Sequence, residues 1–243
     1  MPATRKLRLA AMADLHCREQ STGAFQGLFA QISAKADVLL LCGDLTDRGT
    51  EVEARVLAHE IAAGCRIPVL AVLGNHDHEA GIPDRIEQLL VEAGVRVLDG
   101  EAVELGGVGF AGTKGFAGGF ENRVLEPWGE QTLKAFVRET LDEAMKLEGA
   151  LAKLHGASRR VALLHYAPIR GTIEGEPLEI YPFLGCSRMV PALENFHVSA
   201  CFHGHAHYGT PQGKTGQGVP VYNVAYPLLQ RHTPDRPYRV VEV

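Results

Sequence analysis

Five short clusters hold most of the groups in this 243-residue sequence that could do chemistry. They are Asp14-Leu15-His16, Gly43-Asp44, Gly74-Asn75-His76-Asp77, the lone His165, and Gly204-His205-Ala206-His207. Carboxylates, an amide and imidazoles are the oxygen and nitrogen donors that hold divalent cations, and imidazole also moves protons near neutral pH. Residues two apart in an extended segment project the same way. Asp14 with His16, and His205 with His207, can therefore each present two donors in one direction. Taken singly, each group has an ordinary structural explanation: Asp14 and Asp44 as turn or capping residues, His165 as a hydrogen-bonded core histidine. Taken together they do not, because several imidazoles and carboxylates buried side by side are costly without a cation.

Each cluster falls where the hydrophobic pattern ends a strand. Strands are expected at 7–13, 37–42 and 68–73, with helices at 24–36 and 51–64 between them; Val52, Val56, Leu57 and Ile61 give the second helix its apolar spacing. The run Val38-Leu39-Leu40-Leu41 reads as a strand covered on both faces. A helix at 83–93 opens on Pro83 and closes at Gly94. Asp99-Gly100 between 95–98 and 101–105 is a hairpin signal, and 107–113 adds a short strand. A long amphipathic helix follows over 130–155, then strands at 159–165, 198–202, 219–224 and 238–243. The pattern is that of an α/β chain forming one domain over 1–243, with two sheets and helices outside them. In such sheets ligands gather beyond the carboxyl ends of the strands, and glycines 43, 74 and 204 are placed to let the backbone turn there.

Composition excludes several classes. The net charge is -5, and the longest basic runs are Arg5-Lys6 and Arg159-Arg160, so no nucleic-acid footprint is visible. Five scattered cysteines without CxxC spacing argue against a disulfide framework or a thiolate zinc site and fit a reducing compartment. No run approaches transmembrane length, and the apolar stretch 9–13 is too short for a signal-peptide core. A cytoplasmic protein is expected.

The order DxH, GD, GNHD, H and GHxH, running from Asp14 to His207, resembles that of the calcineurin-like metallophosphoesterases. The resemblance implies a four-layer α/β/β/α sandwich of two mixed sheets flanked by helices. It assigns Asp14, His16 and His207 to one metal ion and Asn75, His165 and His205 to a second, with Asp44 bridging. Mixed nitrogen and oxygen donors suit Mn, Fe or Zn. Two divalent ions against Asp14, Asp44 and a bridging hydroxide leave the site net positive, which suits an anionic phosphate ester. The implied reaction is metal-dependent hydrolysis of a phosphomonoester or phosphodiester, as a phosphatase or phosphodiesterase, with the bridging hydroxide as nucleophile.

The resemblance also makes His76 the general acid, with Asp77 orienting and charging it. Arg48, in Gly-Asp-Leu-Thr-Asp-Arg-Gly, resembles a phosphate-gripping arginine of the protein-phosphatase branch. His203 is expected to support the site rather than bind metal. Two long segments without periodicity, 114–129 and 166–185, are candidate substrate walls; they carry Phe116, Phe120, Trp128, Tyr166, Arg170 and Tyr181. The reading from a different class is a non-catalytic scaffold that keeps the fold as a binding platform. Retention of His76 and of every ligand position favours an enzyme.

Overall fold

A computed structural model describes residues 6–243. The first half builds strands β1 (Arg8–Met12), β2 (Val38–Cys42), β3 (Val69–Val72) and β4 (Val95–Val97), alternating with helices α1 (Gln26–Ser33), α2 (Glu51–Gly64) and α3 (Pro83–Glu92). Next come β5 (Glu101–Leu105), β6 (Val108–Gly112), the two-residue strands β7 (Gly119–Phe120) and β8 (Arg123–Val124), and the long helix α4 (Gln131–Ala152). The chain ends through β9 (Arg159–Leu163), α5 (Tyr181–Leu184), α6 (Val190–Asn195), β10 (Ala200–His203), β11 (Gln212–Lys214), β12 (Pro220–Asn223), α7 (Tyr226–His232) and β13 (Arg239–Glu242).

Two mixed sheets result. One has the order β13-β1-β2-β3-β4, parallel except for β13; the other has the order β11-β12-β10-β9-β6-β5, with antiparallel strands at its two edges. Strand alternation sorts the core into three layers. Leu9, Ala11, Leu40, Val72, Phe110, Leu163 and Phe202 fill the space between the sheets. Met12, Leu39, Leu41 and Ala71 face outward onto Phe29, Leu57, Ile61 and Leu90 of α1–α3. Ala111, Ala162 and Cys201 face the other way, onto Leu147, Leu151 and Leu193 of α4 and α6. This is the four-layer α/β/β/α sandwich, and it explains why β2 is apolar at every position.

Two sequence expectations are corrected. Asp99-Gly100 does not close a hairpin: β4 belongs to the first sheet and β5 to the second, so the dipeptide carries the chain across the sandwich. The hairpin is β5–β6, turned at Gly106-Gly107, both with positive φ. Val52 is 50% exposed; the buried face of α2 is Ala54, Leu57 and Ile61, with Glu60 beneath its end. Glu60 accepts hydrogen bonds from the backbone N–H groups of Gly23, Phe25 and Gln26 and from the Gln26 amide, and so anchors the start of α1.

What positions the site is the shared direction of β1, β2 and β3 in one sheet and of β9 and β10 in the other. Their carboxyl ends come out along one edge of the sandwich. Backbone hydrogen bonds tie those ends together, from Asp14 N–H to Gly43 O, His16 N–H to Asp44 O, Gly204 N–H to His165 O and Ala13 N–H to Val224 O.

Candidate metal centre

Along this edge, three groups of ligand atoms converge within 4.8 Å among the described residues. They are Asp14–His16–His207, Asp44–His165–His205 and His16–Asp47–His76. In the first, His207 Nε2 lies 3.0 Å from Asp14 Oδ1. In the second, His165 Nε2 lies 3.3 Å from Asp44 Oδ1 and 2.9 Å from Asn75 Oδ1. Asp44 spans the two, because its other oxygen is 3.9 Å from His16 Nε2. The sandwich thus brings Asp14, His16, Asp44, Asn75, His165, His205 and His207 to one place.

The backbone is bent to do this. Asp14, His16, Asp44 and His205 all have positive φ (56°, 43°, 48° and 69°), four of the six non-glycine residues that do among those described. Such conformations cost on the order of 1–3 kcal/mol each and persist where the surroundings over-determine them. Gly43 makes a left-handed turn as its type suggested, but Gly74 and Gly204 do not; they provide room. A Cβ on Gly74 would lie 2.2 Å from Asp44 Oδ1, and one on Gly204 would lie 2.3 Å from Asp14 Oδ2.

Protonation acts on cation binding in both directions. Burial pushes the His16 imidazole below its usual range, and it pushes His205 down to about 4, with His165 adding repulsion. These rings are neutral, with lone pairs to offer. Burial also acts to lower His165, but Asp44 reverses this and raises it to about 9; His207 is raised likewise by Asp14 against its own burial. A cation binding there must displace those protons, so binding is coupled to pH. The most direct test of fit is His16. Both of its ring nitrogens are buried without a hydrogen-bond partner, a costly arrangement in an apolar interior. A cation at Nε2 would relieve it, and the set of four imidazoles, two carboxylates and an amide suits a divalent transition metal.

His76 sits beside the cluster, its ring 4.6 Å from that of His16 and edge-on to it. Its backbone N–H donates to Asp44 Oδ1 at 2.9 Å, and its Nδ1 is 2.6 Å from the carbonyl of Asp47. Asp77 does not orient it, contrary to the sequence expectation. The Asp77 carboxylate turns into the fold, accepting from the N–H groups of Leu45, Thr46 and Gly74 and from the Thr46 hydroxyl. It clamps the loops after β2 and β3 together, and burial, then Asp44, raises its pKa.

Asp47 is the residue sequence reasoning missed. Its carbonyl holds His76, its carboxylate stands 3.6 Å from His16 Nδ1, and Arg18 holds that carboxylate at 3.0 Å. Its signal was in plain view, as the second aspartate of Gly43-Asp44-Leu45-Thr46-Asp47. Asn223 was also missed; its amide donates to Ala206 O and Thr172 O and fixes the GHxH loop. Arg48 is exposed, and no hydrogen bond or ion pair engages its guanidinium among the described residues; with Arg18 it lines a cleft that Asp47 also borders. His203 is buried between Thr172 Oγ1 and Gly204 O, so neither ring nitrogen faces a cation.

The fold has counterparts elsewhere. Phosphopantetheinyl hydrolase from Mycobacterium tuberculosis superposes with a TM-score of 0.70 at 16% identity, over 98% of this chain and 97% of that one. A Staphylococcus aureus protein described as a 5'-nucleotidase gives 0.56 at 15% identity, over 90% of this chain and 48% of its own. GAP50, described as the anchor in the inner membrane complex of Plasmodium, gives 0.54 at 12% identity, over 91% of this chain and 72% of its own. At these identities the likeness is one of fold. No curated protein matches the chain. The family model for calcineurin-like phosphoesterases matches residues 7–209, which takes in all five motif clusters. The chain belongs to the calcineurin-like phosphoesterase family.

Proposed function

We propose that this protein is a metal-dependent phosphoesterase that hydrolyses a small phosphomonoester or phosphodiester. Asp14, His16 and His207 would hold one divalent ion and Asn75, His165 and His205 another, with Asp44 between them. The observation that carries this reading is the position of Asp44. Its two oxygens face His16 on one side and His165 on the other, at 3.9 and 3.3 Å, which suits a carboxylate shared by two cations. Two such ions (Mn, Fe or Zn) would supply an activated water and polarise the phosphoryl oxygens.

The chain's own residues do the rest. Hydrogen bonding of His76 Nδ1 to the Asp47 carbonyl fixes the ring and leaves Nε2 as the nitrogen free to deliver a proton to the departing alkoxide. Asp47 is thus the positioning residue in the role first given to Asp77. Arg48 and Arg18 line a cleft with Asp47, Glu19 and Glu53. Arg18 is held by Asp47, whereas the Arg48 guanidinium, which no hydrogen bond or ion pair engages among the described residues, is available to grip an anionic ester. No helix among the described residues is long and apolar enough to cross a membrane. Five unpaired cysteines, four of them buried, support a cytoplasmic location.

Turnover of p-nitrophenyl and bis-p-nitrophenyl phosphate, measured with the protein stripped of metal and then given Mn²⁺, tests the reading. Hydrolysis that returns with Mn²⁺ and is absent from Asp44→Asn supports it. Full metal loading without hydrolysis of either ester, or of a panel of phosphorylated metabolites, would instead favour a binding scaffold, the use suggested by the fold likeness to an anchor protein.

A further inference from the structure

The two long loops that the sequence leaves without periodicity meet in an apolar groove. It is lined by Leu125, Glu130, Thr132, Leu133, Phe136 and Phe183, from the loop after β8, the start of α4 and the short helix α5. Phe183 is 58% exposed, and Leu178 and Ile180 just before it are exposed as well. Isolated exposed apolar side chains need no explanation, but a lined groove with several beside it does.

Two connections join this groove to the metal centre. The carbonyl of Phe183 accepts from His205 Nε2 at 3.3 Å, so one residue both lines the groove and touches a metal-ligand candidate. A path of rings makes the second connection. His205 contacts Tyr166 (centroids 4.5 Å apart), Tyr166 contacts Phe116 (5.6 Å), and Phe116 contacts Phe136 in the groove wall (4.9 Å). Lys114 Nζ lies 4.8 Å from the Phe116 ring centre and 5.6 Å from that of Tyr166, although Glu139 shares it at 3.4 Å. The apolar groove therefore abuts the metal-binding cluster through Phe183 and these packed rings. An alkyl phosphate likewise joins an apolar tail to a metal-binding head.

We infer that the groove receives an alkyl chain carried by the substrate, so that the preferred ester bears an extended apolar group rather than a compact polar one. This inference rests on the phosphoesterase reading, and the experiment separates the two. Inorganic phosphate, butyl phosphate and octyl phosphate are titrated into the Mn²⁺-loaded protein by calorimetry. Full burial of a methylene is worth about fourfold in affinity, and an open groove covers roughly half of that, or about twofold per methylene. Octyl phosphate should then bind roughly 10- to 20-fold more tightly than butyl phosphate, with a more negative heat-capacity change. Leu133→Gln, which lies in the groove wall and away from the ligand set, should flatten that dependence, as should Phe183→Gln.

Equal affinity for butyl and octyl phosphate in the wild type would overturn the groove assignment while leaving the phosphoesterase reading intact. Absence of binding by all three anions, together with no aryl phosphate turnover, would overturn the phosphoesterase reading itself. If Leu133→Gln and Phe183→Gln convert a dimer to a monomer and leave the chain-length dependence unchanged, the groove is a contact between copies and the assignment is wrong.

Discussion

Replacing Gly74 by alanine probes the site without removing any functional group. The added Cβ would stand 2.2 Å from Asp44 Oδ1 and 2.3 Å from the Asp44 backbone nitrogen. Ordinary contact needs about 3.5 Å, so the loops after β2 and β3 must part by roughly 1 Å. They have little freedom to do so. Asp44 Oδ1 is held by His76 N–H at 2.9 Å and lies 3.3 Å from His165, while Gly74 N–H donates to the buried Asp77 at 2.8 Å. Overpacking of this kind costs about 1–3 kcal/mol, which in a chain of this length lowers Tm by roughly 2–10 °C. A displacement of about 1 Å at the residue between two cations should reduce kcat/KM by at least about 100-fold. The matched control is Gly27→Ala, in α1 with nothing within 4 Å of the added Cβ. It should stabilise by about 0.5–1 kcal/mol and leave turnover alone. Thermal unfolding and turnover of bis-p-nitrophenyl phosphate on both variants decide the matter. Gly74→Ala with wild-type kcat/KM and full metal content would refute the claim that this glycine exists to make room for Asp44.

Three further outcomes follow from particular contacts. His76→Ala should keep its metal and its fold yet lose about 10²–10⁴-fold on an alkyl phosphate, and far less on p-nitrophenyl phosphate, whose leaving group scarcely needs a proton; equal losses on both esters would end its assignment as the acid. Trp128 is 65% exposed, so Trp128→Ala should leave Tm within about 1 °C of wild type, as surface changes do, and any effect should appear in KM for the natural ester; a clear fall in Tm would make it an anchor instead. Glu60 is buried, which acts to raise its pKa, but hydrogen bonds from Gly23, Phe25 and Gln26 prevail and lower it. A carboxylate lowered in the folded state contributes stability that is complete above its unfolded pKa of about 4.3 and is lost as pH falls through the folded value. Glu60→Gln, which turns an amide donor toward those N–H groups, should thus cost about 1–3 kcal/mol at pH 7, and the gap in Tm should narrow below about pH 4; a gap constant with pH would contradict the role of the charge.

Much of the fold was legible because parallel strands buried on both faces leave unbroken apolar runs, as in Val38–Cys42, and because functional groups gather where such runs stop. The hairpin misread at Asp99-Gly100 shows the limit of local turn chemistry. The same dipeptide serves a crossing between sheets when β4 and β5 find partners elsewhere, and strand partners are not local information. The motifs marked where donors gather, but strand periodicity does not place them. Asp14, His16 and His205 lie beyond the strand ends with positive φ, and His205 and His207 join different groups of ligand atoms. Their convergence depends on bent backbone that a period-two pattern does not encode. Asp77 was assigned to His76 because it is next to it, but adjacency in sequence is a poor guide inside the one-turn 3-10 helix His76–His78. There Asp77 points inward to Leu45, Thr46 and Gly74, and the group that reaches His76 is a backbone carbonyl. A main-chain acceptor has no side-chain type by which to be read. The Gly74 and Gly204 positions were marked correctly as special, but for turning rather than for space, since close approach depends on what the other loop brings.

Asp14, His16, Asp44, Asn75, His165, His205 and His207 are proposed to form a single site for two cations, with Asp44 shared. The direct measurement is elemental analysis of Mn²⁺-saturated, desalted protein, run in parallel on wild type and Asp44→Asn with circular dichroism to confirm the fold. Two ions per chain are expected in the wild type and one or none in the folded variant. A wild-type protein that saturates at one ion, or an Asp44→Asn protein that still carries two, would contradict the shared site.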